Sequence, residues 1–276
     1  MINFTKTDNP GPAADHWITY SGTEDLPYHI FVSCPKDPAP SSGYPVIYVL
    51  DGNAFFQTVA ETARIQARRS EKTGIPSAIV VGIGYPGAKD FFGDRRFYDF
   101  TPPADTQQLP PHPRGGEWPN HGGGALFIDF IEKELKPFIH SNYPVDINKQ
   151  CLFGHSLGGL FTLYTLFNHT GSFQNYIASS PSIWWNNQAV LKDEQQLLNN
   201  LAAKPCTPNV FLASGSLEKE YMIEDPKALS ERLTGEAGGR MRITYHLTED
   251  ENHLSIVPSV LSRALRFVFN DETTST

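Results

Sequence analysis

The sequence predicts an α/β fold in which a mostly parallel, twisted sheet carries helices on both faces. Three observations predict it. Short β-branched or aromatic runs alternate along the chain with stretches of helical apolar spacing, the pattern of a sheet covered by crossover helices. Several of these runs are apolar on both faces, as buried parallel strands must be. One of them, "CLFG", leads through a glycine-flanked serine into a strongly apolar helical stretch, "LGGLFTLYTLFN".

In chain order, strands are expected at 28–34 ("YHIFVSC"), 45–51 ("PVIYVLD"), 77–84 ("SAIVVGIG"), 151–154 ("CLFG"), 175–180 ("NYIASS"), 209–214 ("NVFLAS") and 242–247 ("RITYHL"). Between 125 and 140, Phe127, Phe130, Ile131, Leu135 and Phe138 recur at helical spacing. Val257, Val260, Leu261, Leu265 and Val268 do the same between 255 and 269, with Ser255 as the expected cap and Pro258 harmless in the first turn. There is no internal repeat, and residues 1–276 are expected to form a single domain. One stretch breaks the rhythm. Residues 85–124 are rich in Pro and Gly, yet they carry Phe, Tyr, Trp and Arg. A loop this long inside a compact domain is usually functional, and this one is expected to build one wall of a substrate site.

Composition excludes several classes of function. Lys and Arg number 22 against 30 Asp and Glu, and no basic block is present, so nucleic acid is not an expected partner. No apolar run is long enough to span a bilayer, and "MINFTKTDNPGP" lacks the basic start and apolar run of a signal peptide. No membrane partner is therefore expected, and the cytoplasm is the expected compartment. Cys34, Cys151 and Cys206 are odd in number and form no CxxC, which argues against both a disulfide framework and a zinc site. No cofactor and no metal are expected.

The chemistry rests on the serine. "GHSLG", residues 154–158, fits G-x-S-x-G between a strand and a helix, the nucleophile elbow of an α/β hydrolase. The turn is so tight that positions two before and two after Ser156 must be small, and Gly154 and Gly158 meet that need. A serine hydroxyl is a poor nucleophile near neutral pH and needs a base. On this fold the order is Ser, acid, His. His253, in the loop after the last strand, is the last histidine and the expected base. His246 lies within the strand, and the His155 side chain is expected to point away from the hydroxyl. The acid is expected in "GSLEKEYMIED", where Glu218 comes soonest after the strand and Glu220, Glu224 and Asp225 remain open. Leu157 should supply one oxyanion N–H. The second is expected from "LDGNAFF", where Gly52 allows close approach and Asn53 is the donor. "HGGG", residues 121–124, resembles a lipase oxyanion motif but opens a helix directly and reads as a helix entry.

With those residues in place, the chain resembles the esterase family that includes enterobactin and salmochelin esterases, from about residue 28 to the last helix. The stretches that carry the resemblance are "YVLDGNAFF", "RRFYDFTPP", "GGGALFIDFIEKELKPFI", "LFGHSLGGLFTLYTLF", "SPSIWW" and "ENH". It is most like the Gram-positive branch that hydrolyses the bacillibactin trilactone. The resemblance implies a cytoplasmic serine esterase that cuts the ester backbone of a tricatecholate siderophore so that iron is released, with Ser156 as nucleophile and His253 as base. Broader acyl esterases are relatives too, so feruloyl-type esters and S-acylglutathione thioesters are the alternative substrates. A ferric tricatecholate is a bulky aromatic anion, and such a ligand calls for aromatic walls and local positive charge. Arg95 and Arg96 are the expected charge, although one of them has an alternative partner in Asp94 or Asp99. Trp184 and Trp185 are the expected wall, with Phe55, Phe56, Phe97 and Tyr98 as further candidates, and at least one tryptophan has packing under the loop as its alternative.

Overall fold

The computed structural model describes residues 4–7, 14–20, 27–112, 115–203 and 207–270. The strands are β1 (Thr5–Thr7), β2 (Asp15–Tyr20), β3 (Pro27–Ser33), β4 (Tyr44–Val49), β5 (Ile79–Gly84), β6 (Val145–His155), β7 (Asn175–Ser179), β8 (Asn209–Gly215) and β9 (Arg242–Thr248). The α-helices are α1 (Gly52–Ala67), α2 (Ser70–Thr73), α3 (Gly93–Phe100), α4 (Gly124–Phe130), α5 (Lys136–Asn142), α6 (Leu157–Asn168), α7 (Glu194–Ala203), α8 (Glu220–Glu236) and α9 (Ile256–Phe269).

The chain divides into two compact units. The first comprises Met1–Phe92, Phe130–Leu152 and Leu261–Thr276. Its strand order is β1-β2-β3-β5-β4-β6. β1, β2, β3 and β5 pair antiparallel in turn, while β4 and β5 run parallel. Every residue of β4 and β5 is buried, which explains their unbroken apolar sequences. α1 packs on this layer through Phe55, Val59 and Ala63. Gly82 permits the close approach, because a Cβ there would lie 2.8 Å from the Cβ of Phe56.

The helical spacing between 125 and 140 does not give one regular helix. α4 and α5 are joined by a π-helical stretch, Ile131–Leu135. Pro137 has no N–H for the carbonyl four residues earlier and crowds it, so the backbone widens just before the proline.

The second unit comprises Gly93–Asp129 and Phe153–Val260. Its strand order, from the C-terminal end of β6, is β6-β7-β8-β9. β7, β8 and β9 are parallel, with Ile177 opposite Phe211 and Phe211 opposite Thr244. α6 is buried over nearly its whole surface, as its all-round apolar sequence requires. The stretch expected as a long loop holds more order than its Pro and Gly content suggests. It contains α3 and a short 3-10 turn, Thr106–Gln108, capped by the Asp105 side chain. Among the described residues no helix is long and apolar enough to cross a membrane.

Candidate active site

Ser156 stands between β6 and α6 with φ 59° and ψ −118°. A non-glycine residue at positive φ is strained, and such strain persists only where the surroundings over-determine it. Here the Ser156 N–H donates to Ser179 O at 3.0 Å, and Ser156 O accepts from Leu160 N–H and Ser182 N–H, both at 3.0 Å. Gly154 is the steric condition for the turn, since a Cβ there would lie 2.1 Å from Gly158 O. We therefore expect Gly154→Ala to destabilise the protein by about 1–3 kcal/mol, measured by denaturant unfolding. Wild-type stability in that variant would contradict the packing described here. Leu157 is the first residue of α6, so the helix supplies no acceptor for its N–H.

His253 lies in the short segment between β9 and α9. Its backbone is held from both sides: Asn252 Oδ1 accepts from the N–H groups of Leu254 and Ser255 at 2.9 and 3.2 Å, and Ser255 Oγ accepts from Asn252 N–H at 2.9 Å. Ser255 was the expected cap. Asn252 fills that role instead, because its side chain reaches the amides that open the turn.

One of the open carboxylates meets this imidazole. Glu218 Oε2 accepts from His253 Nδ1 at 2.7 Å, and the Glu218 side chain is 1% exposed. Its other oxygen, Oε1, accepts from Ser180 Oγ at 2.6 Å and from Gly215 N–H at 2.8 Å. Burial alone would push the Glu218 carboxyl up. The hydrogen bonds from His253, Ser180 and Gly215 outweigh it and hold the group below the usual carboxylate range. Glu220 is exposed at the start of α8, Glu224 pairs with Lys227 at 3.7 Å, and Asp225 accepts from Gln188 at 3.0 Å.

His155 ends β6 and is buried. Its ring packs against that of His253, with centroids 4.6 Å apart, and its Nδ1 lies 3.3 Å from Ser179 Oγ. Burial, then His253 and Arg96, hold it well below the ordinary histidine range, so it stays neutral. The hydroxyl of Ser156 has its partner in Ser182 Oγ at 3.4 Å. Ser180 and Ser182 lie in "SPSIWW", a stretch that carries the family resemblance but assigns neither serine a role.

Arg95 Nε donates to Asp99 at 3.0 Å, with both side chains largely buried, so Arg95 is the arginine that takes the alternative partner Asp99. Arg96 lies over the Phe100 ring at 5.5 Å and within electrostatic reach of His155. The tryptophans part as well. Trp185 is 1% exposed and packs beneath Phe97 and Trp118, edge to face at 5.0 Å each, so it is core and not wall. Trp184 is half-buried and faces Trp118 at 6.4 Å. Trp118, within the 85–124 stretch, donates its indole N–H to Pro110 O at 2.7 Å.

Gly52 and Asn53 belong to the first unit. They open α1 behind Asp51, whose φ is 50°. The Asn53 side chain accepts from Tyr85 N–H at 2.7 Å and donates to Tyr85 O at 3.0 Å. As first-turn residues they keep backbone N–H groups without helical acceptors. "HGGG" enters α4: Gly123 N–H and Gly124 N–H donate to Tyr98 O and Thr101 O, so these amides are occupied. Among the described residues no group of three or more His, Cys, Asp or Glu is placed to hold a metal ion.

Comparison with known proteins gives four consistent findings. The sequence profile of the Esterase family matches residues 21–255. The ferri-bacillibactin esterase BesA of Bacillus subtilis (strain 168) is 43% identical over 95% of this chain and 91% of its own length. A siderophore enterobactin esterase of Emericella nidulans is 34% identical, covering 91% of this chain and 92% of its own. The crystal structure of the BES protein from Bacillus cereus superposes with a TM-score of 0.90 at 49% identity, over 96% of this chain and 98% of that one.

Proposed function

We propose that this chain, which belongs to the Esterase family and has the α/β-hydrolase fold, hydrolyses the trilactone backbone of a catecholate siderophore through Ser156, His253 and Glu218. The observations that support the reading are the 2.7 Å bond from His253 to a buried carboxylate and a serine held at positive φ between a strand and a helix. Ser156 Oγ attacks a lactone carbonyl, and His253 Nε2 takes its proton. Glu218 accepts from the opposite ring nitrogen, fixing the tautomer and balancing the imidazolium that forms. The N–H of Leu157 donates to the developing oxyanion. His253 then returns the proton to the leaving alkoxide, and a water deprotonated by the same imidazole frees the acyl group. Iron enters only as cargo of the substrate. The described cysteines, Cys34 and Cys151, are free thiols, while Cys206 lies outside the described residues. Free thiols suit the cytoplasm, the compartment we propose.

The test is mass spectrometry of ferric and iron-free trilactone after exposure to the enzyme, beside kcat/KM on a short aryl ester and S-acylglutathione. Sequential appearance of linear trimer, dimer and monomer, with kcat/KM favouring the trilactone, is the expected outcome. A preference for the thioester or the aryl ester would reject the siderophore assignment while keeping the hydrolase.

Arg96 and Trp184 are the proposed substrate contacts. Arg96→Gln is expected to raise KM for the ferric trilactone about tenfold, the equivalent of one charge-assisted contact, and to leave KM for a neutral aryl ester nearly unchanged. Equal effects on both substrates would place Arg96 with the fold instead.

A further inference from the structure

Residues 179–182, which end β7 and follow it, touch both ends of the proposed relay, Ser156 and Glu218. Ser179 O accepts from Ser156 N–H, and Ser179 Oγ meets His155. Ser180 Oγ donates to Glu218 Oε1 at 2.6 Å. Ser182 Oγ lies 3.4 Å from Ser156 Oγ, and Ser182 N–H donates to Ser156 O at 3.0 Å. Ser180 and Ser182 are 0% and 1% exposed. Buried hydroxyls are costly unless bonded, and these two spend their bonds on the relay. Ser180 also stands at φ 44°, held there by its N–H on Ala213 O at 2.7 Å. Gly159 makes room for the turn, since a Cβ there would meet Pro181 Cα at 2.9 Å.

We infer that Ser180 and Ser182 are positioning residues, a clasp that sets both ends of one proton relay: Ser180 aims Glu218 at His253, and Ser182 parks the Ser156 hydroxyl. The inference rests on the roles proposed above for Ser156, His253 and Glu218. The physical logic is a division of the carboxylate. Ser180 and Gly215 occupy Oε1, which leaves Oε2 for the imidazole and locks the rotamer. Other groups facing the pair are His155, at the end of β6 and itself in reach of Arg96 on α3, and Tyr245 on β9. None of them reaches Oε1 with a hydrogen bond among the described residues. Without the Ser180 hydroxyl, more of the carboxylate charge is left to the protonated imidazole. The pair then holds its proton more tightly, and the base is freed only at higher pH.

Ser180→Gly removes that hydroxyl while accepting the positive φ without strain. Profiles of kcat/KM against pH are measured on an aryl ester, with rates of fluorophosphonate inactivation beside them. In Ser180→Gly the acid limb is expected to move up by about one pH unit, with a roughly tenfold loss at pH 7. Ser182→Ala is expected to leave the limb in place and slow fluorophosphonate inactivation about five- to tenfold. A Ser180→Gly enzyme whose activity falls with the limb unmoved would overturn the inference, because a structural role lowers activity without shifting a titration. Inactivation of Ser182→Ala at the wild-type rate would overturn its half. Wild-type protein that resists the fluorophosphonate altogether would strike at the hydrolase reading and not at the clasp.

Discussion

Ser156→Ala is expected to lower kcat on any ester substrate by about 10⁴- to 10⁶-fold and to abolish fluorophosphonate labelling. The magnitude follows from its position. The hydroxyl is the proposed nucleophile, and the turn that presents it is built from Gly154 and the bonds to Ser179 and Ser182 rather than from the hydroxyl itself. Removing one oxygen costs a single 3.4 Å contact, so the thermal midpoint should stay within a few degrees of wild type. Activity and stability therefore separate in this variant. A loss of less than tenfold in kcat would move the nucleophile elsewhere and take the proposed mechanism with it.

Glu218→Gln should be the second largest effect, a loss of about 10²- to 10⁴-fold in kcat with KM little changed. Glutamine keeps the volume, but its amide can present an N–H to His253 Nδ1 and force the unproductive tautomer. This variant also carries a stability signature. The Glu218 carboxyl is held below its ordinary range in the folded protein, so the unfolded chain takes up the proton first as pH falls. Its contribution is fully present above the ordinary glutamate value of about 4.3 and is lost as pH drops through the lower, folded value. The gap in thermal midpoint between wild type and Glu218→Gln should therefore be largest near neutrality and close below pH 4. A constant gap down to acid pH would mean that the carboxylate is not the charged partner described here, and wild-type kcat in the variant would remove Glu218 from the reaction.

Several features were legible in the sequence because they are enforced between chain neighbours. The elbow is one: Gly154, Ser156 and Gly158 answer steric demands within five residues. The strands β4, β5, β7 and β8 are others, since burial on both faces leaves an apolar run with no alternation. The strands β1 and β2 were missed. β1 has three residues, and β2 is half-buried, so neither carries such a run. For Phe55 and Phe56, helix core was the alternative to a substrate wall, and the structure places both in α1, with Phe55 buried.

By itself the sequence determined where the proposed nucleophile stands, the order in which its proposed partners follow and the family to which the chain is kin. Only the tertiary structure decided that Glu218 is the carboxylate on His253, that Arg95 pairs with Asp99, that Trp185 is buried while Trp184 is half-buried, and that two serines after β7 reach Glu218 and Ser156. The physical reason is range. A tight turn writes its requirement into adjacent residues, whereas the pairing of Glu218 with His253, 35 positions apart, depends on the register of β8 against β9 and on the loops that leave them.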